Sequence, residues 1–341
     1  MQIFKKILKW IGLSIGVALI LMLLAGLSYR LVGPKLHAPM GQLVDVGDFK
    51  LHINASGMKS SQATLVIEGG GGVPSEYYHW LDEGLKDRMR VVRYDRAGIG
   101  YSDVSHTPRD PETIARELHA LLEKAGESPP YILAGHSLGG PYISVFAQLY
   151  PEEVEALVFL DPTHPERVER MNLPLETSFS FRAIIWSYKA LATLGDVGIL
   201  GLYDRLFGPI IPTEGLPEEI EKRTTDFVLN GKLARTYSKE MKFYHRTLKR
   251  AGKATAFGSM PIRFFKADKK MSETTKAAYR KQGIDPDQRR EKEIAMANDF
   301  ISHSTNSKLV LIDGGHNSMY TMKENATIIC QEVIQLLGDL E

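Results

Sequence analysis

A chain of 341 residues is long enough for one large α/β domain with an insertion, or for two modest domains. Its 43% hydrophobic and 24% charged residues are those of an ordinary globular protein, and a formal net charge of +1 gives no electrostatic reason to expect nucleic acid as a partner. The one cysteine, Cys330, excludes an internal disulfide framework and any Cys-rich metal site. It lies in an apolar helical pattern and is expected to be buried.

At the N-terminus, Trp10 to Tyr29 carries no charged residue and is rich in Leu, Ile, Val, Ala and Gly. Such a helix reaches about 30 Å, one hydrocarbon thickness. Lys5, Lys6 and Lys9 precede the run, whereas only Arg30 and Lys35 follow closely. This bias predicts a cytoplasmic N-terminus and an extracytoplasmic remainder. Residues 1–32 are expected to be a single-pass membrane anchor, with a cleaved signal peptide and a secreted product as the alternative. The apolar run is long for a signal and shows no clear A-x-A site. Residues 33–40, with Gly33, Pro34 and Pro39, read as a linker, and 41–341 as the folded domain.

Residues 42–46 and 50–54 alternate about Gly47-Asp48 and predict an antiparallel hairpin. Short apolar runs follow at 65–67, 91–94, 131–134, 156–160, 262–265 and 309–312. Amphipathic helical patterns separate them, such as 111–125, with Ile114, Leu118, Leu121 and Leu122 on one face, and 325–337. Continuous apolar strands between amphipathic helices predict a buried, mostly parallel sheet. The spacing breaks once. About 165–255 is helical in character, without a clear parallel-strand run, and is expected to be a cap over the site. Phe179, Phe181, Trp186, Leu202 and Phe207 in this stretch suit either an apolar pocket or the core of the cap.

The run 131–134 leads into Gly135-His136-Ser137-Leu138-Gly139, a G-x-S-x-G sequence. In that context it predicts a nucleophile elbow, a tight strand-to-helix turn exposing a serine hydroxyl, with glycines where a Cβ would collide with strand or helix. Ser137 needs a base, because a hydroxyl is a poor nucleophile at neutral pH. His316, on the Gly314-Gly315 turn after the last strand, is that candidate. Asp161, directly after 156–160, and Asp268, shortly after 262–265, both qualify as the acid. Asp161 is placed ahead for its position at the strand end, and Asp268 is the alternative. Leu138 N–H, with Gly70 or Gly71 from the stretch Glu68-Gly69-Gly70-Gly71-Gly72, is expected to bind the oxyanion. No Lys-Ser/Thr follows those glycines and no G-x-G-x-x-G spacing is present, which argues against a phosphate loop.

Together, Asp45-Val46-Gly47, Ile67-Glu68-Gly69-Gly70, Asp95-Arg96-Ala97-Gly98-Ile99-Gly100-Tyr101-Ser102, Gly135–Gly140 and Leu160-Asp161-Pro162 resemble the bacterial α/β-hydrolase superfamily, in its esterase-like branch. The likeness is dense over 40–165 and loose over 258–340. It implies an eight-stranded, mostly parallel sheet, a Ser-Asp-His triad and no metal or organic cofactor, and makes Asp95–Ser102 a structural turn. Glu68-Gly69 stands where His-Gly is commoner, leaving Glu68 either in the pocket or in a buried ion pair, for example with Arg96. Serine at the elbow argues against the haloalkane dehalogenase and epoxide hydrolase branches, which use Asp there. Gly72-Val73-Pro74 interrupts the Gly-Gly-Pro-Gly stretch of prolyl aminopeptidases. The expectation is a serine hydrolase acting on an apolar ester, with a thioester or amide next, an aminopeptidase as the alternative enzyme and a ligand-binding or sensory protein as the alternative class.

Overall fold

The computed structural model describes residues 2–33, 35–59, 62–208, 210 and 214–340. Pro34 of the predicted linker lies outside them. Eight strands form one sheet in the order β1-β2-β4-β3-β5-β6-β7-β8. They are β1 Gln42–Asp45, β2 Lys50–Ser56, β3 Thr64–Glu68, β4 Arg90–Asp95, β5 Tyr131–His136, β6 Val154–Leu160, β7 Ile262–Ala267 and β8 Ser307–Ile312. The hairpin pairs Val44 with Leu51, and β2 runs antiparallel to β4; every other pairing is parallel. Each predicted run falls on one strand.

The parallel strands are buried on both faces, so their side chains divide by the period of two. Val66, Val92, Leu133 and Leu157 enter one core with Leu118, Leu121, Phe146 and Phe300 from the covering helices. Leu65, Val91, Ile132 and Val158 enter the other with Leu81, Leu85, Ile329 and Val333. Cys330 belongs to that second core, and burial pushes its thiol up to about 12. Edge strand β8 is the exception, with Leu311 exposed.

Local sequence explains the element ends. The helix Pro111–Ala125 starts on Asp110, whose carboxylate accepts the Thr113 N–H at 3.1 Å, has Pro111 at its first position and stops at Gly126, φ 71°. Its predicted apolar face is buried throughout.

Between β6 and β7 the described residues are helical: Arg167–Arg170, Phe179–Asp196, Ile199–Phe207, Glu218–Leu229, Gly231–Lys242 and Tyr244–Ala251. Of the aromatics singled out there, Phe181 is buried, but Phe179, Trp186 and Phe207 are exposed. Those three fill neither pocket nor core. Hydrophobic residues on a helix fix that one face is apolar, not which neighbour covers it.

The N-terminal helix, Gln2–Val32, has a window of mean hydropathy 2.4 and is long and apolar enough to cross a membrane. Gly26 is its one residue classed as buried.

Candidate active site

Strand β5 ends two residues before the helix Gly139–Leu149 begins. The turn holds Ser137 at φ 52°, in the left-handed region that costs an L-residue about 1–3 kcal/mol. Its backbone is held on both sides. Ser137 N–H donates to the Leu160 carbonyl at 3.1 Å, and Ser137 C=O accepts from Gly140 N–H at 3.2 Å and Thr163 N–H at 2.8 Å. A Cβ on Gly135 would lie 2.7 Å from the Gly139 carbonyl oxygen, and one on Gly139 would strike the Glu68 carbonyl. This is the close approach that the two glycines were expected to serve.

Asp161 also has positive φ, 43°, and its N–H donates to Phe265 C=O at 2.7 Å. His316 Nδ1–H donates to Asp161 Oδ2 at 2.6 Å, and Lys266 Nζ donates to Asp161 Oδ1 at 2.6 Å. Burial by itself would raise this carboxyl. The hydrogen bond from His316 and the charge of Lys266 outweigh it and hold Asp161 well below the usual carboxylate range. Asp268 is placed differently. Both of its oxygens are held by Arg290, through Nε and Nη2, each at 2.5 Å. That bidentate pair lowers its carboxyl as well, through the Arg290 hydrogen bonds first.

The Gly-rich loop after β3 rests on Arg96. Its Nη1 donates to Gly69 C=O at 2.5 Å, and its Nη2 to Gly70 C=O at 2.7 Å. The same guanidinium pairs with Glu68 and, through Nε at 2.9 Å, with Glu240 on the helix Gly231–Lys242. Glu68 is therefore in a buried ion pair with Arg96. Burial raises its carboxyl above the usual range, with Arg96 and the Tyr94 hydroxyl opposing.

A trans peptide points N–H opposite to C=O. The Gly71 N–H thus faces away from Arg96, and Gly71 lines a cavity with Ser137 and Leu138. The N–H of Gly70, the other glycine expected as an oxyanion donor, instead donates to the Tyr78 hydroxyl at 3.0 Å. Leu138 precedes the first helical residue, where backbone N–H groups lack intrahelical partners.

The Tyr78 contact continues a chain that residue spacing did not reveal. Having accepted from Gly70, the Tyr78 hydroxyl donates to His136 Nδ1 at 3.1 Å, and His136 Nε2–H donates to the His316 carbonyl at 3.2 Å. Burial, then the charge of His316, push the His136 imidazole well below its usual range, so it stays neutral. The glycine-rich loop, the elbow and the histidine loop are thereby joined by one buried chain of neutral donors and acceptors.

Two cavities meet at Ser137 and His316. One, of about 520 Å³, is lined by Leu138, Leu233, Met241 and the rings of Tyr188, Tyr237 and Tyr244. The other, of about 410 Å³, is more charged, with Arg167, Lys266, Arg289 and Glu293. Sequence reading missed Lys266, although a lysine ending an apolar strand run was a visible signal. It placed Arg96 only as a possible partner of Glu68. Glu240 carried no local signal. Among the described residues no group of three or more His, Cys, Asp or Glu could hold a metal ion.

Residues 64–188 match a family model described as alpha/beta hydrolase fold. The chain is 31% identical over 173 residues to the uncharacterized protein YbdG of Bacillus subtilis, covering 49% of this chain and 53% of that one. It is 34% identical over 107 residues to a (lyso)-N-acylphosphatidylethanolamine lipase of Mus musculus, covering 30% and 31%. The chain thus spans about half the length, or less, of these curated relatives. An esterase from Exiguobacterium antarcticum superposes with a TM-score of 0.61 at 15% identity, covering 87% of this chain and all of that one; at that identity the likeness is one of fold.

Proposed function

We propose that this chain, whose residues 64–188 match an alpha/beta hydrolase fold model and whose sheet has that fold, is a serine hydrolase cleaving carboxylic esters through Ser137, His316 and Asp161. The observation that carries the reading is the hydrogen bond from His316 Nδ1 to Asp161 beside a strained Ser137. With Nδ1–H given to the carboxylate, Nε2 is the imidazole's free acceptor. Ser137 Oγ attacks the ester carbonyl as His316 Nε2 takes its proton. The oxyanion receives the N–H groups of Leu138 and Gly71. His316 then protonates the departing alkoxide, leaving an acyl-enzyme. A water, deprotonated by the same imidazole, attacks it and frees the acid and Ser137. The aromatic and aliphatic lining near Ser137 favours an apolar acyl group over a peptide.

In this reading residues 165–255 form the cap, which supplies Tyr188, Tyr237 and Tyr244 to the pocket. The helix Gln2–Val32 anchors the enzyme in a membrane with the hydrolase domain extracytoplasmic.

A fluorophosphonate probe tests the assignment. Labelling is expected at Ser137 in the intact chain, with turnover of p-nitrophenyl esters exceeding that of aminoacyl arylamides. An unlabelled intact chain refutes the enzyme reading, and faster arylamide cleavage transfers it to the aminopeptidase class.

Arg96 is expected to be a positioning residue for the oxyanion hole. Arg96→Lys keeps the charge but cannot hold two carbonyls and two carboxylates with one planar fork. Loss of one oxyanion donor in other hydrolases costs about 10²–10³ in kcat, and Arg96→Lys is expected to approach that loss with KM little changed. A purely structural role would instead lower Tm and leave kcat per folded molecule intact.

A further inference from the structure

The helices Phe179–Asp196 and Ile199–Phe207 carry large apolar side chains that the fold leaves uncovered. Phe179 is 71% exposed, Trp186 56%, Leu206 64% and Phe207 73%. They are not scattered. Phe179 and Trp186 are seven residues apart on one helix face, with ring centroids 6.3 Å apart. Tyr203 and Phe207 are one turn apart on the next helix, with centroids 4.9 Å apart. An exposed aromatic surface of this kind marks an interaction site.

Its position says what covers it. The two helices meet at 80°, and the turn between them is packed on the N-terminal helix. A Cβ on Gly26 would lie 2.6 Å from the Val197 carbonyl oxygen, and one on Gly198 would strike the Gly26 carbonyl. The backbones are therefore in contact. Gly26 lies three residues before Tyr29, where the charge-free run ends, which is about 4.5 Å at helical rise. A helix crossing the bilayer thus carries this turn to the level where hydrocarbon gives way to headgroups. Arg30 and Lys35 line the groove beside Gly198, at the level suited to lipid phosphates.

We propose that the outer face of these two helices, marked by Phe179, Trp186, Tyr203, Leu206 and Phe207, is seated in the headgroup–acyl boundary of the membrane that the N-terminal helix crosses. The opposite side of Phe179–Asp196 reaches the active site. Tyr188 lines the Ser137 cavity, and Phe181 and Ile185 are buried with Met241. One helix thus separates lipid from the catalytic pocket, and the substrate class that fits is a bilayer-resident ester with a long acyl chain. This rests on the membrane-anchored hydrolase reading above.

The test uses the full chain in phosphatidylcholine vesicles, with Trp10→Phe and Trp80→Phe leaving Trp186 as the single tryptophan. Brominated phosphatidylcholine is expected to lower Trp186 emission about twofold or more, as for a side chain in the acyl boundary. Emission untouched by brominated lipid but quenched by aqueous acrylamide overturns the proposal. So does emission shielded from both quenchers in a chain that dimerises, because a second copy then covers the face. Release of the chain by alkaline carbonate also overturns it by removing the span. Quenching is read without turnover, so its failure is distinguishable from failure of the hydrolase reading. The combined variant Phe179→Ser, Trp186→Ser and Phe207→Ser is expected to lose about tenfold in turnover of a palmitoyl ester in vesicles, through weakened interfacial binding. A soluble butyryl ester should be cleaved as before. Equal loss on both esters counts against docking.

Discussion

Ser137→Ala is expected to abolish ester turnover, with a fall in kcat on the order of 10⁶-fold, the scale found when a serine protease loses its nucleophile. His316→Ala should cost a similar factor, and the double variant little more, because nucleophile and base act as one unit. The physical reason is that Ser137 at φ 52° serves no packing purpose that alanine would fail. Alanine at that φ bears the same strain, so the fold and its Tm should be kept while the attacking oxygen is gone. Steady-state kinetics on a p-nitrophenyl ester, with a melting curve for each variant, check this. A Ser137→Ala protein with more than about one-hundredth of native kcat removes Ser137 from the mechanism, since oxyanion and binding contributions alone leave far less.

Asp161→Asn is expected to lower kcat about 10⁴-fold, as loss of the triad acid does elsewhere. An amide at this position can present its NH₂ to His316 Nδ1 and favour the wrong tautomer. The same change removes one of the two carboxylates that hold Lys266, which keeps Glu293 at 3.1 Å. Asp268→Asn breaks an Arg290 pair on a half-open surface, a type worth about 0–1 kcal/mol, and should leave kcat within about threefold. A large loss at Asp268 with a small one at Asp161 reverses the assignment. The pH dependence carries a sign. The folded pKa of Asp161 is depressed, so its pairing contributes stability above the unfolded value of about 3.9, lost only as pH falls below that through the folded value. Asp161 therefore keeps its charge through mildly acidic and neutral pH, and no titration of this carboxyl should appear in the native pH–rate profile between about pH 5 and pH 8.

The sheet was legible because each strand announces itself locally. Runs such as Leu65–Ile67 and Ile132–Ala134 are apolar on both faces, and the glycines around Ser137 report a collision between chain neighbours. His316 was visible from its Gly-Gly turn after the last strand. The acid was not. Asp161 and Asp268 each follow a strand after the elbow, and local context separates them only weakly. What separates them is a contact across 155 residues, from His316 to Asp161, and a competing one across 22, from Arg290 to Asp268.

The glycine-rich loop divides the same way. Four consecutive glycines signal a backbone that something approaches closely, but Gly70 and Gly71 are chemically identical. Arg96 and Tyr78 distinguish them by taking the Gly69 and Gly70 carbonyls and the Gly70 amide. Likewise, hydropathy marks Phe179, Trp186 and Phe207 as apolar without saying that the fold leaves them uncovered.

By itself, then, the amino-acid sequence determined the strand-and-helix alternation, the elbow at Ser137, the histidine turn and an N-terminal helix apolar enough to span a membrane. All of these are set by side-chain period, sterics and hydropathy within a few residues. Tertiary structure alone decided which carboxylate meets His316, which glycine amide is free, that Glu240 reaches Arg96, and which aromatics face outward. Those outcomes depend on groups far apart in the chain, and no local pattern encodes a distance that only the packed sheet creates.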